Sequence, residues 1–280
     1  MIDLSTSAPL MIVSFSVEAS KQADFDRFYH HQFLPKLLSI SPEIKNIARY
    51  QADSVDAANN VAGQYLTIYE LANSDALKQT EQIFERTGFA EELAQFRQWK
   101  ESALKNFSRT SYQPIYEHER RVYNGHFGRC PMLFFSSEIK VQDSDAFRQW
   151  YQLSYLPRLM ADVPTLSGCR RYAAWTNASV DTNVKAGAEK SSSDKSSSDK
   201  SSSDKSIGDK AASDKSANKE KAVQYITVME SVDELTLSHS IERMAVPHRS
   251  LENEGMQKWL DSAVSFTATN TFRPIFCLPE

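Results

Sequence analysis

The sequence predicts an α+β protein made of two tandem βαββαβ units, on three observations. FDRFYHHQFLPKLLSISPEIKNIARY near the N-terminus matches FRQWYQLSYLPRLMADVPTLSGCRRY from Phe147 at one constant offset, setting Tyr29 on Tyr151, Pro35 on Pro157, Leu37 on Leu159, Arg49 on Arg171 and Tyr50 on Tyr172. QYLTIYE from Gln64 then matches QYITVME from Gln224 at a larger offset, which also sets Trp99 on Trp259 and PIY from Pro114 on PIF from Pro274. The change of offset falls where the chain reads SSSDKSSSDKSSSDK from Ser191, so that run is an enlarged loop inside the second unit rather than a linker between domains.

Each element follows in order. MIVSFSVE, Met11 to Glu18, is β-branched and aromatic enough for a strand, as is PMLFFSSEI in the second unit. From Asp24 to Ser39 the spacing of Phe25, Phe28, Tyr29 and Leu37 is that of an amphipathic helix. NIARYQ and QYLTIYEL are the next two strands, a long helical region runs from about Ser74 to Asn106, and a last strand leads into QPIYE. This order gives a ferredoxin-like sheet with both helices on one face. The other face also needs cover, because PMLFFSS and QYITVME carry apolar residues on both sides. The units are placed at 9–117 and 131–280, with a connection at 118–130 and the Ser/Asp/Lys-rich loop at about 178–222. That loop has almost nothing to bury, so disorder is its physical expectation.

Composition removes several classes of function. Against 36 acidic residues there are 32 basic ones, a net charge of −4, with no block of unpaired positive charge outside the loop, so nucleic acid is not an expected partner. No apolar run is long enough to span a bilayer, and the first residues lack the basic region and cleavage site of a signal peptide. No membrane and a cytoplasmic location are expected. Cys130, Cys169 and Cys277 are isolated from one another and suggest neither a metal pair nor a disulfide framework. Glycine-rich phosphate loops are absent.

A strand ending in Glu, a helix with F-x-x-W/F-Y closing on LP, and an R-Y strand together resemble the EthD-like branch of the dimeric α/β-barrel superfamily. The resemblance implies that the two units pack as an intrachain dimeric α/β barrel. It also implies a small-molecule enzyme with cofactor-independent proton-transfer chemistry on an apolar oxygenated substrate, as an isomerase, cyclase, dehydratase or monooxygenase. The alternative is a non-catalytic binding or structural pseudo-dimer. EthD-like helices commonly end in H-x-P, whereas Phe33 and Tyr155 stand at those positions here, so a general-base histidine is not carried over.

Candidate site residues follow from the second unit. Tyr151 and Tyr155 share a helix face, and Pro157 should bend the helix beside Tyr155 and open space there. Tyr155 is the candidate donor of a proton or hydrogen bond to a substrate oxygen, and Arg171 the group that stabilises developing negative charge. Trp150, Tyr151 and His248 are the candidate substrate-binding residues; no metal ligands and no cofactor are expected. The bland readings are that Tyr151 is core and Arg171 an ion-pair residue. Because Phe33 offers no acid-base group, activity is expected in the second unit, and His30 and His31 are expected on a solvated helix face. Glu18 and Glu138, and Glu70 and Glu230, are read as matched strand-end carboxylates that meet water or pair with Arg49 or Arg171. A small molecule is the expected partner, and further homo-oligomerisation of the pseudo-dimer is left open.

Overall fold

The computed structural model describes residues 7–52, 61–83, 88–119, 126–175, 222–244 and 250–279. His248 and most of the Ser/Asp/Lys-rich loop lie outside them. The first unit runs β1 (Leu10–Glu18), α1 (Gln22–Phe28), α2 (Leu34–Ile40), β2 (Ile44–Ala52), β3 (Val61–Leu71), α3 (Ser74–Ile83), α4 (Ala90–Ser102) and β4 (Leu104–Glu119). The second repeats it as β5 (Met132–Lys140), α5 (Ser144–Trp150), α6 (Leu156–Asp162), β6 (Leu166–Ala174), β7 (Ala222–Ser231), α7 (Glu234–Met244), α8 (Ser250–Ser262) and β8 (Val264–Leu278).

The two sheets do not merely stack; their edges join. The strand order β1-β3-β2-β8-β5-β7-β6-β4 closes into one antiparallel barrel, with β2 hydrogen-bonded to β8 and β4 to β6. Closure satisfies the edge strands that an isolated unit would expose. It also explains the doubly apolar strands. On β1, Met11, Val13, Phe15 and Val17 pack under the helices, while Leu10 and Ile12 join Tyr50, Ile68, Phe134, Tyr172 and Val228 in the barrel interior. Among the described residues three cores result: one inside the barrel and one beneath the helices of each unit.

Local chemistry repeats as well. Asn73 and Asp233 accept the backbone N–H groups of Ala76 and Thr236 and so start α3 and α7. Between α1 and α2, and again between α5 and α6, the helix widens by one π-helical turn, at Tyr29–Phe33 and Tyr151–Tyr155. Pro35 and Pro157 cause this, since each lacks an N–H for the carbonyl four residues back and its ring crowds that turn. The backbone N–H groups of Leu34 and Leu156 instead reach the carbonyls of Tyr29 and Tyr151.

One sequence pairing needs correction. Glu18 N–H donates to Ala103 O and Lys140 N–H donates to Ala263 O, so Glu18 matches Lys140, not Glu138. A slip of two residues keeps every side chain on its face, so alternation alone could not exclude it.

Candidate functional site

The widened helices aim equivalent aromatic pairs at the sheet. Tyr29 stacks on Phe33 with centroids 5.2 Å apart, and Tyr151 on Tyr155 at 5.0 Å. In the first unit these rings border a cavity of about 400 Å³ between α4, the π-helical turn and the strands. Phe33, Phe96 and Phe107 supply its aromatic walls, and Arg97, Lys100 and Arg109 its cationic side. Lys100 Nζ lies 4.3 Å from the centre of the Phe107 ring.

Two phenols meet at this cavity. Tyr29 Oη and Tyr69 Oη are 2.9 Å apart, and Tyr29 Oη lies 3.3 Å from Thr67 Oγ1. Burial pushes the pKa of Tyr29 up and that of Tyr69 well up, so both stay protonated near neutral pH. The pair can therefore donate hydrogen bonds to a bound oxygen, but neither is poised as a base.

Behind the pair, Arg49 is fully buried and flanked by the rings of Phe15, Phe25, Tyr29 and Tyr65, the last at 4.4 Å. Its Nη1 donates to Asp26 Oδ1 at 2.6 Å and lies 2.7 Å from His30 Nε2. Burial first, and then the Arg49 charge, lowers the His30 pKa to about 4, which leaves Nε2 free to accept. The expectation for the histidines thus holds for His31, which is exposed, and fails for His30. His30 is half-buried because its ring stacks on Phe276 of the other unit, with centroids 4.3 Å apart.

Of the predicted residues of the second unit, all but His248, which lies outside the described residues, come together. Trp150, Tyr151 and Tyr155 form one ring cluster, with Trp150 and Tyr155 at 5.4 Å, and Arg171 lies 4.6 Å from the Tyr151 ring. The half-buried Tyr155 packs against the second helical core. The indole of Trp150 lies so close to Gly255 that a Cβ there would sit 3.1 Å from the ring. Trp150 stands where the first unit has Phe28, and Gly255 where it has Gln95. The π-helical turn is present as Pro157 predicts, but the 400 Å³ cavity borders the matching turn of the first unit.

Arg171 is only 1% exposed, and its Nε, Nη1 and Nη2 have no hydrogen-bond partner among the described residues. Its neighbours are the rings of Phe147, Tyr151 and Tyr225. Burial lowers its pKa to about 10.

The strand-end carboxylates are the second correction. Glu70 and Glu230 lie inside one end of the barrel, 2% and 7% exposed, and do not meet water. Their cation is Arg170 rather than Arg49 or Arg171: its Nη2 is 2.7 Å from Glu230 Oε2 and its Nη1 3.8 Å from Glu70 Oε1. Arg170 faces the barrel because it precedes Arg171 on β6 and neighbours alternate. Asn46 and His126 complete the contacts of Glu70, whose pKa burial raises. Among the described residues, no group of three His, Cys, Asp or Glu side chains could hold a metal, and no helix is long and apolar enough to cross a membrane.

Sequence reasoning passed over Asp26, Tyr69, Arg97, Lys100 and Arg109. The available signal was divergence between matched positions, where Arg148, Met229, Gln257, Leu260 and Thr269 stand in the second unit.

No protein-family model matches the chain, and no curated protein matches it. Solved structures do. A Fusobacterium nucleatum protein provisionally named a monooxygenase superposes with a TM-score of 0.54 at 6% identity, covering 97% of this chain and 94% of that one. An anthrone oxidase-like protein superposes at 0.53 with 8% identity, covering 97% and 93%. The architecture shared over nearly the full length of both chains is the ferredoxin-fold dimeric α/β barrel, here formed by a single chain.

Proposed function

We propose that the first unit binds an anionic aromatic or polycyclic oxygenated molecule, and that the protein acts on it as a small-molecule enzyme of the EthD-like kind. The observation that carries this reading is the 400 Å³ cavity, which sets protonated phenols against a cationic side between aromatic walls. Its volume and mixed lining are those of a ligand site. A phenolate or enolate would stack on Phe33, Phe96 and Phe107, place its charge toward Arg97, Lys100 and Arg109, and accept a hydrogen bond from Tyr69 or Tyr29. Tyr29 can donate to Tyr69 while Tyr69 donates to the ligand, so the hydroxyl chain adjusts without leaving a buried group unpaired.

These groups favour a substrate acidic enough to bind as its own anion. Catalysis then consists of stabilising the delocalised charge through which an isomerisation, cyclisation, dehydration or oxygenation of such a molecule passes. The protonated phenols also favour a second reading, a binding protein without turnover, because none of the described residues lining the cavity is a histidine or carboxylate that could serve as base.

Calorimetric titration with 1-hydroxy-2-naphthoate, combined with absorbance and oxygen-uptake assays, separates the two. Saturable binding that weakens in Lys100→Ala, together with turnover that falls in Tyr69→Phe, is the expected result. Binding without turnover selects the second reading, and no binding removes both.

A further inference from the structure

The two buried arginines are equivalent in position but not in company. Asp26 and His30 meet Arg49 from the helix, and the residues at the same places over Arg171 are Arg148 and Gln152. A cation thus replaces the carboxylate that neutralises the first guanidinium. Arg171 is left buried with no hydrogen-bond partner among the described residues, a state that proteins avoid unless something supplies the counter-charge.

Arg148 and Gln152 both line a groove of about 650 Å³ that runs between α5 and the Pro114–Ile115 stretch of β4. The Gln152 amide donates to Ile115 O at 3.3 Å, a long bond that one rotamer change releases. Among the described residues Arg148 pairs with Asp145 of its own helix at 3.0 Å, the first side chain half-exposed and the second largely exposed, so a competing anion displaces that pair at little cost.

We infer that the second unit is a binding site for a small carboxylate, which enters the groove beside Gln152 and sits between Arg148 and Arg171, where the first unit carries the side chain of Asp26. The carboxylate class follows from the first unit, where Asp26 takes up the matching fork at 2.6 Å. A planar fork pairs best with a planar two-oxygen acceptor, which favours a carboxylate over a spherical halide.

Thermal unfolding of the full chain at fixed ionic strength tests this, with chloride exchanged stepwise for acetate and, in a parallel arm, for phosphate. The wild type should gain melting temperature with acetate along a saturating curve, and more than with phosphate at equal concentration. Arg148→Asp rebuilds the pair found in the first unit, so it should melt above the wild type in chloride and lose the acetate response. Arg148→Gln, on a half-exposed side chain that the fold tolerates, should weaken apparent acetate affinity about tenfold. Equal acetate responses in the wild type and both variants would overturn the proposal, as would a phosphate response larger than the acetate one. So would a response that survives Arg148→Asp but disappears in Tyr69→Phe, because it would then belong to the first-unit cavity.

Discussion

The first and second units share a skeleton and differ in what they leave exposed. Tyr29 and Tyr151, Tyr65 and Tyr225, Thr67 and Thr227, and Glu70 and Glu230 occupy matched places on equivalent helices and equivalently paired strands. The first unit neutralises its buried arginine internally and opens a cation-sided cavity. The second packs Trp150 against Gly255 and leaves Arg171 without a hydrogen-bond partner among the described residues. Because one barrel needs both sheets but not two identical clefts, the side chains beneath the helices can diverge while the strand faces stay matched.

Substitutions that exchange the units' characters test this contrast. Asp26→Ala gives the first unit the uncompensated arginine of the second. It should cost about 3 kcal/mol in denaturant unfolding, since it strands a buried charge, and a loss below about 0.5 kcal/mol would mean that Arg49 does not depend on Asp26. Trp150→Phe installs the ring of the first unit and should cost about 2 kcal/mol through lost packing on Tyr155 and Gly255. If the loss stays below about 0.5 kcal/mol, the indole does not hold α5 against α8.

Tyr69→Phe should destabilise by about 1 kcal/mol through the lost Tyr29 bond and lower naphthoate affinity about tenfold; an unaltered affinity separates the phenols from the ligand. His30, lowered from 6.5 to about 4 by burial and by Arg49, binds its proton more readily in the unfolded chain. Its contribution is complete above pH 6.5 and falls as pH drops toward 4. His30→Gln, the residue of the second unit, should flatten the stability-pH curve over that window, and an unchanged slope would assign the acid sensitivity elsewhere. The smallest effect is expected from Tyr155→Phe, within about 0.5 kcal/mol in stability and without change in naphthoate binding. A loss of activity in that variant would move the chemistry to the second unit and reverse the comparison.

The repeat, the element order and the doubly apolar strands were legible in the chain, because a matched aromatic helix and period-two alternation are local patterns. The joining of β2 to β8 and β4 to β6 was not, since no residue on an edge strand announces its partner. Arg170 was overlooked for a similar reason. RRY places two arginines side by side, and only the alternation of faces, fixed once the barrel closes, sends Arg171 under the helices and Arg170 to the carboxylates. Pro157 correctly signalled a distorted helix, but the cavity beside the matching turn of the first unit is lined by Tyr69, Arg97 and Lys100, which no local period singles out.

The two seams of the barrel also govern how the chain reaches its native state. One of them joins a strand in the first fifth of the sequence to the last strand, so during synthesis β2 waits with an open edge until β8 has left the ribosome. Contacts this far apart in sequence form late and slow folding. In that interval the first unit is a half-barrel able to pair with the same edge of another nascent chain, which makes strand exchange between neighbouring copies the characteristic failure of this architecture.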